Sequence, residues 1–125
     1  MIYHIVAGEE MKKLMVGSIP EAIPFNEDMS IGGSTSEPFT DSFYQERSLT
    51  HNVSLQSYLQ NMSSFISLTK NFKENDIIHL YFGDDKTCKA NSNLLIEYFL
   101  TKHVEIYFHH MDEYHGIELS VEKIK

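Results

Sequence analysis

The segment Ile77-Ile78-His79-Leu80-Tyr81-Phe82-Gly83-Asp84-Asp85 decides how this chain folds. Its first six residues are apolar apart from one histidine, the pattern of a strand buried on both faces, and Gly83 with two acids reads as the turn into a helix. The N-terminus repeats it. Ile2-Tyr3-His4-Ile5-Val6-Ala7-Gly8-Glu9-Glu10 aligns on the same segment without a gap, and both read Ile-x-His-x-x-x-Gly-acid-acid. The two-residue period of a strand puts each histidine on the face of its own glycine, and two such turns are expected side by side.

Working outward, Met11, Leu14, Met15 and Ile19 recur at helical spacing and predict a helix over 10–19 that ends in a turn near Pro20. Residues 22–26 predict a strand in which Pro24 removes a ladder donor, hence an edge position. The stretch 30–41 has turn-rich composition and reads as a mobile loop. Leu55, Tyr58, Leu59, Met62, Phe65, Ile66, Thr69 and Phe72 form one long amphipathic stripe, with Asn52 or Ser54 as N-cap. A further helix around Leu94, Leu95, Tyr98 and Phe99, a strand over 104–108 and a last alternating strand through Ile117, Leu119 and Val121 complete the chain. Strands alternating with helices predict a single α/β domain with a mainly parallel sheet of four or five strands, whose carboxyl ends line one edge. Ligands bind at that edge in open α/β sheets.

Composition narrows the function. The 125 residues carry 18 Asp and Glu against 10 Lys and Arg, a formal charge of −8, and no basic stripe, so nucleic acid is not an expected partner. No apolar run reaches the roughly 20 residues of a membrane helix. The single cysteine, Cys88, has no disulfide partner and no secretion signal is evident, so a cytoplasmic location is expected.

Acid pairs follow four of the strands: Glu9-Glu10, Glu27-Asp28, Asp84-Asp85 and Asp112-Glu113. Crowded carboxylates repel within a Debye length, and a cation, a cationic ligand or protonation relieves them. Helix capping is the preferred explanation of such acids, with a cation site as the alternative. Asp28, Asp84 and Asp85 are the metal-ligand candidates, suited to Mg²⁺ or Mn²⁺, and His109-His110 could add an imidazole. A phosphate cradle at Gly8 or Gly83 lacks the glycine-rich motif and its lysine. His4 and His79 read as hydrogen-bonded core histidines, and His103, His109, His110 and His115 as exposed polar residues. Cys88, beside Asp84-Asp85, is not an activated nucleophile, and the serines carry no hydrolase motif.

On His4-Ile5-Val6, Gly8-Glu9, the run from Phe25 to Gly32, the strand and turn from Ile78 to Asp85, and Asn93-Leu94-Leu95, the chain resembles the bacterial family called domain of unknown function 1835. The resemblance implies a Rossmann-like three-layer fold and marks Gly8, Asp28, Ser30, Gly32, Gly83 and Asp84 as positions matching the family's motifs. Glu9 and Tyr81 depart from the family's usual Asp and Trp. Two functions stay open. One is a small-molecule site at the strand ends, for a metal-bridged nucleotide or a cationic metabolite, with Gly8, Glu9, Asp28, Ser30, Gly32, Gly83, Asp84 and Asp85 as its binding residues. If that site is catalytic, an acid raised by its like-charged neighbours would be the base. The other is a non-enzymatic interaction module that presents an acidic surface, or exposed Phe39, Phe43 and Tyr44, to a protein partner.

Overall fold

A computed structural model describes residues 1–125. In chain order its elements are β1 (Ile2–Val6), α1 (Glu9–Met15), β2 (Ile23–Pro24), α2 (Asp41–Thr50), α3 (Leu55–Asn61), α4 (Ser63–Asn71), β3 (Ile77–Phe82), α5 (Lys86–Leu100), β4 (Glu105–Asp112) and β5 (Ile117–Lys123). One five-stranded sheet has the order β2-β1-β3-β4-β5. The first four of these strands run parallel and β5 is antiparallel to β4.

The echo between the two quoted segments is a physical pairing. β1 and β3 are neighbours with Ile2 opposite Ile77, His4 opposite His79 and Val6 opposite Tyr81, the register of the gapless alignment. Both turns therefore emerge together at the carboxyl end of the sheet. There the connections diverge, β1 leading through α1 to β2 on one side and β3 leading through α5 to β4 on the other.

Alternation along the strands sorts the core into two layers. Ile5, Ile78, Leu80, Phe82, Ile106 and Phe108 face the larger layer, which includes Phe43, Tyr58, Phe65, Leu95 and Phe99 from the later helices. Val6, Tyr81 and Met111 face the other way and are covered by Met11 and Met15 of the short α1. No helix is long and apolar enough to cross a membrane.

Four local expectations need correction. The helix expected over 10–19 stops at Met15, where the chain tightens through bonds from Ser18 and Ile19 to the Met15 carbonyl ahead of Pro20. The long stripe is two helices, because Met62 leaves helical geometry at φ −97° and ψ 4° and caps both; Ser54 is the N-cap of the first, accepting from the Ser57 amide. α2 carries too sparse an apolar pattern to be read from sequence, yet it buries Phe43 and Tyr44, with Phe39 packed against the same core. The expectation that these three aromatics are exposed is thereby overturned. β4 extends to Asp112, so His109 and His110 lie within a strand, and His109 is 9% exposed where exposure was expected.

The stretch 30–41 is irregular but tied at several points. Arg47 donates to the Ile31 and Gly33 carbonyls at 2.7 and 2.6 Å, and Glu46 accepts from the Thr35 amide at 2.6 Å and the Ser36 hydroxyl at 2.8 Å.

Candidate functional site

β1 delivers the chain to Gly8, whose φ of 152° and ψ of −172° fall in a region that side chains strongly disfavour. Two cavities meet at this turn and share Ala7 and Gly8. The first, about 370 Å³, lies toward β2 and is lined by Asn26, Asp28, His51, Tyr58 and Asn61. The second, about 410 Å³, lies toward α5 and is lined by Glu9, Glu10, Asp85, Thr87, Cys88 and Glu113.

The floor of the first lobe is a buried polar network invisible to local pattern. The Glu27 side chain is fully enclosed and accepts from Arg47 Nε at 3.1 Å, from Arg47 Nη2 at 2.8 Å and from the Tyr58 hydroxyl. His51 Nε2 lies 2.5 Å from Glu27 Oε1, and because a carboxylate only accepts, that nitrogen carries the hydrogen. Burial alone would raise the Glu27 carboxyl, but the bonds from Arg47, Tyr58, His51 and the Asp28 amide outweigh it and hold it down to about 2. Arg47 is the chain's single arginine, equally enclosed, and its remaining donors go to the carbonyls of Asp28, Ile31 and Gly33. Asn91 of α5 closes the arrangement, donating to the Glu27 carbonyl at 2.7 Å and accepting from the Met29 amide at 2.8 Å.

Asp28 stands on this floor. Its Oδ1 accepts from the Ser30 amide at 3.0 Å and from the Ser30 hydroxyl. Burial pushes its carboxyl up, and these bonds, the Thr87 hydroxyl and the charge of His51 more than reverse that, so Asp28 is ionised near neutrality. Thr87, which acts on Asp28 from the side, lines the second lobe, whereas Asp28 itself lines the first. Asn26 completes the rim by donating to Glu9 Oε1 at 3.1 Å and to the Asn61 carbonyl at 3.0 Å.

In the second lobe Asp85 is the N-cap of α5, accepting from the Cys88 amide at 2.7 Å. Burial, with the nearby carboxylates of Asp85 and Glu113, pushes the Cys88 thiol up to about 12, so it is not a nucleophile near neutrality. Glu113 arches over Gly83, where any Cβ would overlap its carboxylate, and its buried Oε2 makes no hydrogen bond. Donor atoms of Asp85, Cys88 and Glu113 lie within 4.8 Å of one another, the arrangement best placed to hold a metal ion. Of the metal candidates Asp28, Asp84 and Asp85, only Asp85 belongs to it.

The acid pairs share an edge, and members of three of them, Glu9, Glu10, Asp85 and Glu113, share the second lobe, while the other acids point elsewhere. Glu27 points inward to Arg47, and Asp84 lines a separate cavity with Lys89, His110 and Glu122. Asp112 accepts from His115 at 2.8 Å within the β4–β5 turn. Glu9 and Glu10 form the exposed first turn of α1. Gly8, Glu9, Asp28 and Asp85 thus gather at the β1 turn, Ser30 supports Asp28, Gly32 packs near Thr50, and Gly83 lies beneath Glu113. Sequence reading missed Arg47, His51, Tyr58 and Asn91. The one available signal was the solitary arginine.

His4 and His79 are half-buried on the sheet face that α1 only partly covers, and their partners are Tyr81 and His109 rather than backbone. Comparison with protein-family models, curated proteins and solved structures finds no match to this chain.

Proposed function

We propose that the carboxyl edge around Gly8 binds a small cationic metabolite, an amine or guanidine compound, across the two lobes. One observation carries this reading: Asp28, ionised and fixed by Ser30, faces a cavity on a floor already neutralised by Arg47. No lysine or arginine lines either lobe, whereas Glu9, Glu10, Asp85 and Glu113 line the second. An anionic phosphate finds no lysine or arginine here and faces several carboxylates, so a nucleotide would need a divalent cation between its phosphates and these acids. The positions behind the resemblance to domain of unknown function 1835 favour the same place, since Gly8 and Asp28 line the first lobe and Ser30 holds Asp28, and on a Rossmann-like reading of the sheet this is where such sheets bind ligands.

The test is melting temperature with putrescine, agmatine and arginine, and with ATP in the presence and absence of Mg²⁺ or Mn²⁺. A rise with an amine that disappears in Asp28→Asn supports the proposal. A rise confined to ATP with metal replaces the amine by a metal-bridged nucleotide. No rise with any of them, or an amine effect unchanged in Asp28→Asn, removes the site.

A further inference from the structure

The sheet face turned away from the larger core is covered only at its carboxyl end, where Met11 and Met15 of α1 pack with Val6, Tyr81 and Met111. On that face His4, His79 and Tyr107 form one row across β1, β3 and β4, and Tyr81 and His109 stand in the next. The rings stack along the rows. Centroids of His4 and His79, and of His79 and Tyr107, are 5.0 Å apart, and those of Tyr81 and His109 are 4.1 Å apart. Three imidazoles this close repel when charged together, so a single proton among them has a preferred seat.

A directed chain of hydrogen bonds runs through the group. The Glu118 carboxylate on β5 only accepts, so His109 Nδ1 carries a hydrogen toward it. A neutral His109 then has a bare Nε2, and that nitrogen accepts from His79 Nδ1–H at 2.7 Å. A neutral His79 is left with a bare Nε2 of its own, which has no protein partner and is open to water. The charge at one end therefore sets which nitrogen of His79 holds the hydrogen. The other charged and titratable groups of this face are engaged elsewhere. His4 meets the Tyr81 hydroxyl at 2.8 Å and has Glu21 at 3.9 Å, Lys123 is paired with Glu105 at 3.2 Å, and burial pushes the Tyr81 phenol up to about 12, so it keeps its hydrogen. From α1 come only the two methionines. Neither His79 nor His109 belongs to the group best placed to hold a metal ion.

We propose that this chain is a proton-driven polarity switch, in which charging His109 turns the outward Nε2 of His79 from a hydrogen-bond acceptor into a donor. His109 is the seat of the proton because its Nδ1–H is bonded to a carboxylate, whereas neither His4 nor His79 has one within hydrogen-bond reach. The transfer balances as one proton gained. A proton from water bonds to His79 Nε2, and the hydrogen on His79 Nδ1 passes across the 2.7 Å contact to His109 Nε2. His109 then donates from both nitrogens, to Glu118 and to His79, and His79 remains neutral with its hydrogen on the outer side. Burial, His109 and His4 hold the charging of His79 itself down to about 4, so above that pH the ring changes only its tautomer. A group bound on this open face thus meets an acceptor when His109 is neutral and a donor when it is charged. The switch shares no residue with the lobes around Gly8 and stands independently of the function proposed for them.

The experiment is NMR of the imidazole nitrogens in the whole isotope-labelled chain, which tells a protonated ring nitrogen from a bare one, run from about pH 8 to about pH 5. At the upper end His79 is expected to hold its hydrogen on Nδ1. As His109 gains its second hydrogen, that of His79 is expected to appear on Nε2, both changes sharing one midpoint. Glu118→Gln, at a half-exposed side chain whose amide oxygen still accepts from His109, is expected to move the common midpoint down by about one pH unit. His109→Phe keeps a ring against Tyr81 and removes the link, so His79 is expected to show no pH-dependent exchange of tautomer until it becomes charged. The proposal is overturned if His79 keeps its hydrogen on Nδ1 throughout, or if it gains a second hydrogen before His109 does. It is equally overturned if the exchange persists in His109→Phe or if Glu118→Gln leaves the midpoint where it was.

Discussion

Glu27 and Arg47 meet with both side chains fully enclosed, the guanidinium reaching the carboxylate through Nε at 3.1 Å and Nη2 at 2.8 Å. The pair anchors the first lobe, because the same guanidinium holds the carbonyls of Asp28, Ile31 and Gly33. Removing one partner strands the other charge in the interior. Arg47→Met is expected to cost about 3–5 kcal/mol, which urea denaturation would measure, and Glu27→Gln with Arg47→Met is expected to recover part of that loss. A loss below about 1 kcal/mol, the level of an exposed pair, would show that water reaches the pair.

Acid sensitivity follows from the same carboxylate. Glu27 is held down to about 2 against an ordinary 4.5, so the unfolded chain binds the proton first as pH falls. Its stabilisation is complete above about pH 4.5 and drains away toward pH 2. The loss over that window is about 3 kcal/mol. Urea midpoints measured stepwise between pH 6 and the acid limit would trace it, and Glu27→Gln would flatten that part of the curve.

A second pH dependence belongs to the open sheet face. Glu118 accepts from His109 Nδ1, so His109 Nε2 is the acceptor for His79 Nδ1–H at 2.7 Å. Burial first, and then the neighbouring His109 and His4, hold His79 down to about 4 although Glu118 opposes them. The unfolded imidazole protonates near 6.5, so stability falls as pH drops from about 6.5 to about 4 and is level below. His79→Phe is expected to remove part of this slope, and NMR titration of the His79 ring checks the assignment directly. An unshifted titration of His79 would defeat it.

Gly83 makes room for Glu113. A methyl group at position 83 would overlap the Glu113 carboxylate, and its Cβ would stand 2.9 Å from the Glu113 Cβ. Gly83→Ala is expected to destabilise by about 1–3 kcal/mol, and Glu113→Ala to relieve part of it, the double variant falling short of the sum. Strict additivity would mean that the two residues do not meet.

Asp85 is predicted to act as a cap whether or not it also touches a ligand. Asp85→Ala should cost about 1 kcal/mol through the lost bond to the Cys88 amide. Asp85→Asn, which can still accept that bond, should restore most of it; failure to do so would point to charge rather than capping.

Much of the architecture was legible because it is local. A run such as Ile77–Phe82 can be satisfied only as a doubly buried strand, Pro24 is tolerated only at an edge, and Ser54 offers its oxygen to an amide three residues on. The echo of Ile2 to Val6 in Ile77 to Tyr81 even anticipated a register between strands 75 residues apart, because both obey the same pattern. Glu27 and Asp28 show where this ended. Adjacent in the chain and alike in charge, one lies enclosed against Arg47 and the other faces a cavity. Nothing within reach of a local pattern separates them, since the choice depends on a guanidinium 20 positions away carried on a helix with little apolar signal. His109 is sheltered by the pairing of β4 with β5 and by Glu118, and Tyr44 loses its hydroxyl to the interior where α2 packs on α3 and its ring meets that of Tyr58. Backbone pattern is set by steric and hydrophobic demands a few residues long. The placing of charge and of unpaired donors is set by which surfaces close over them, and only the packed chain decides that.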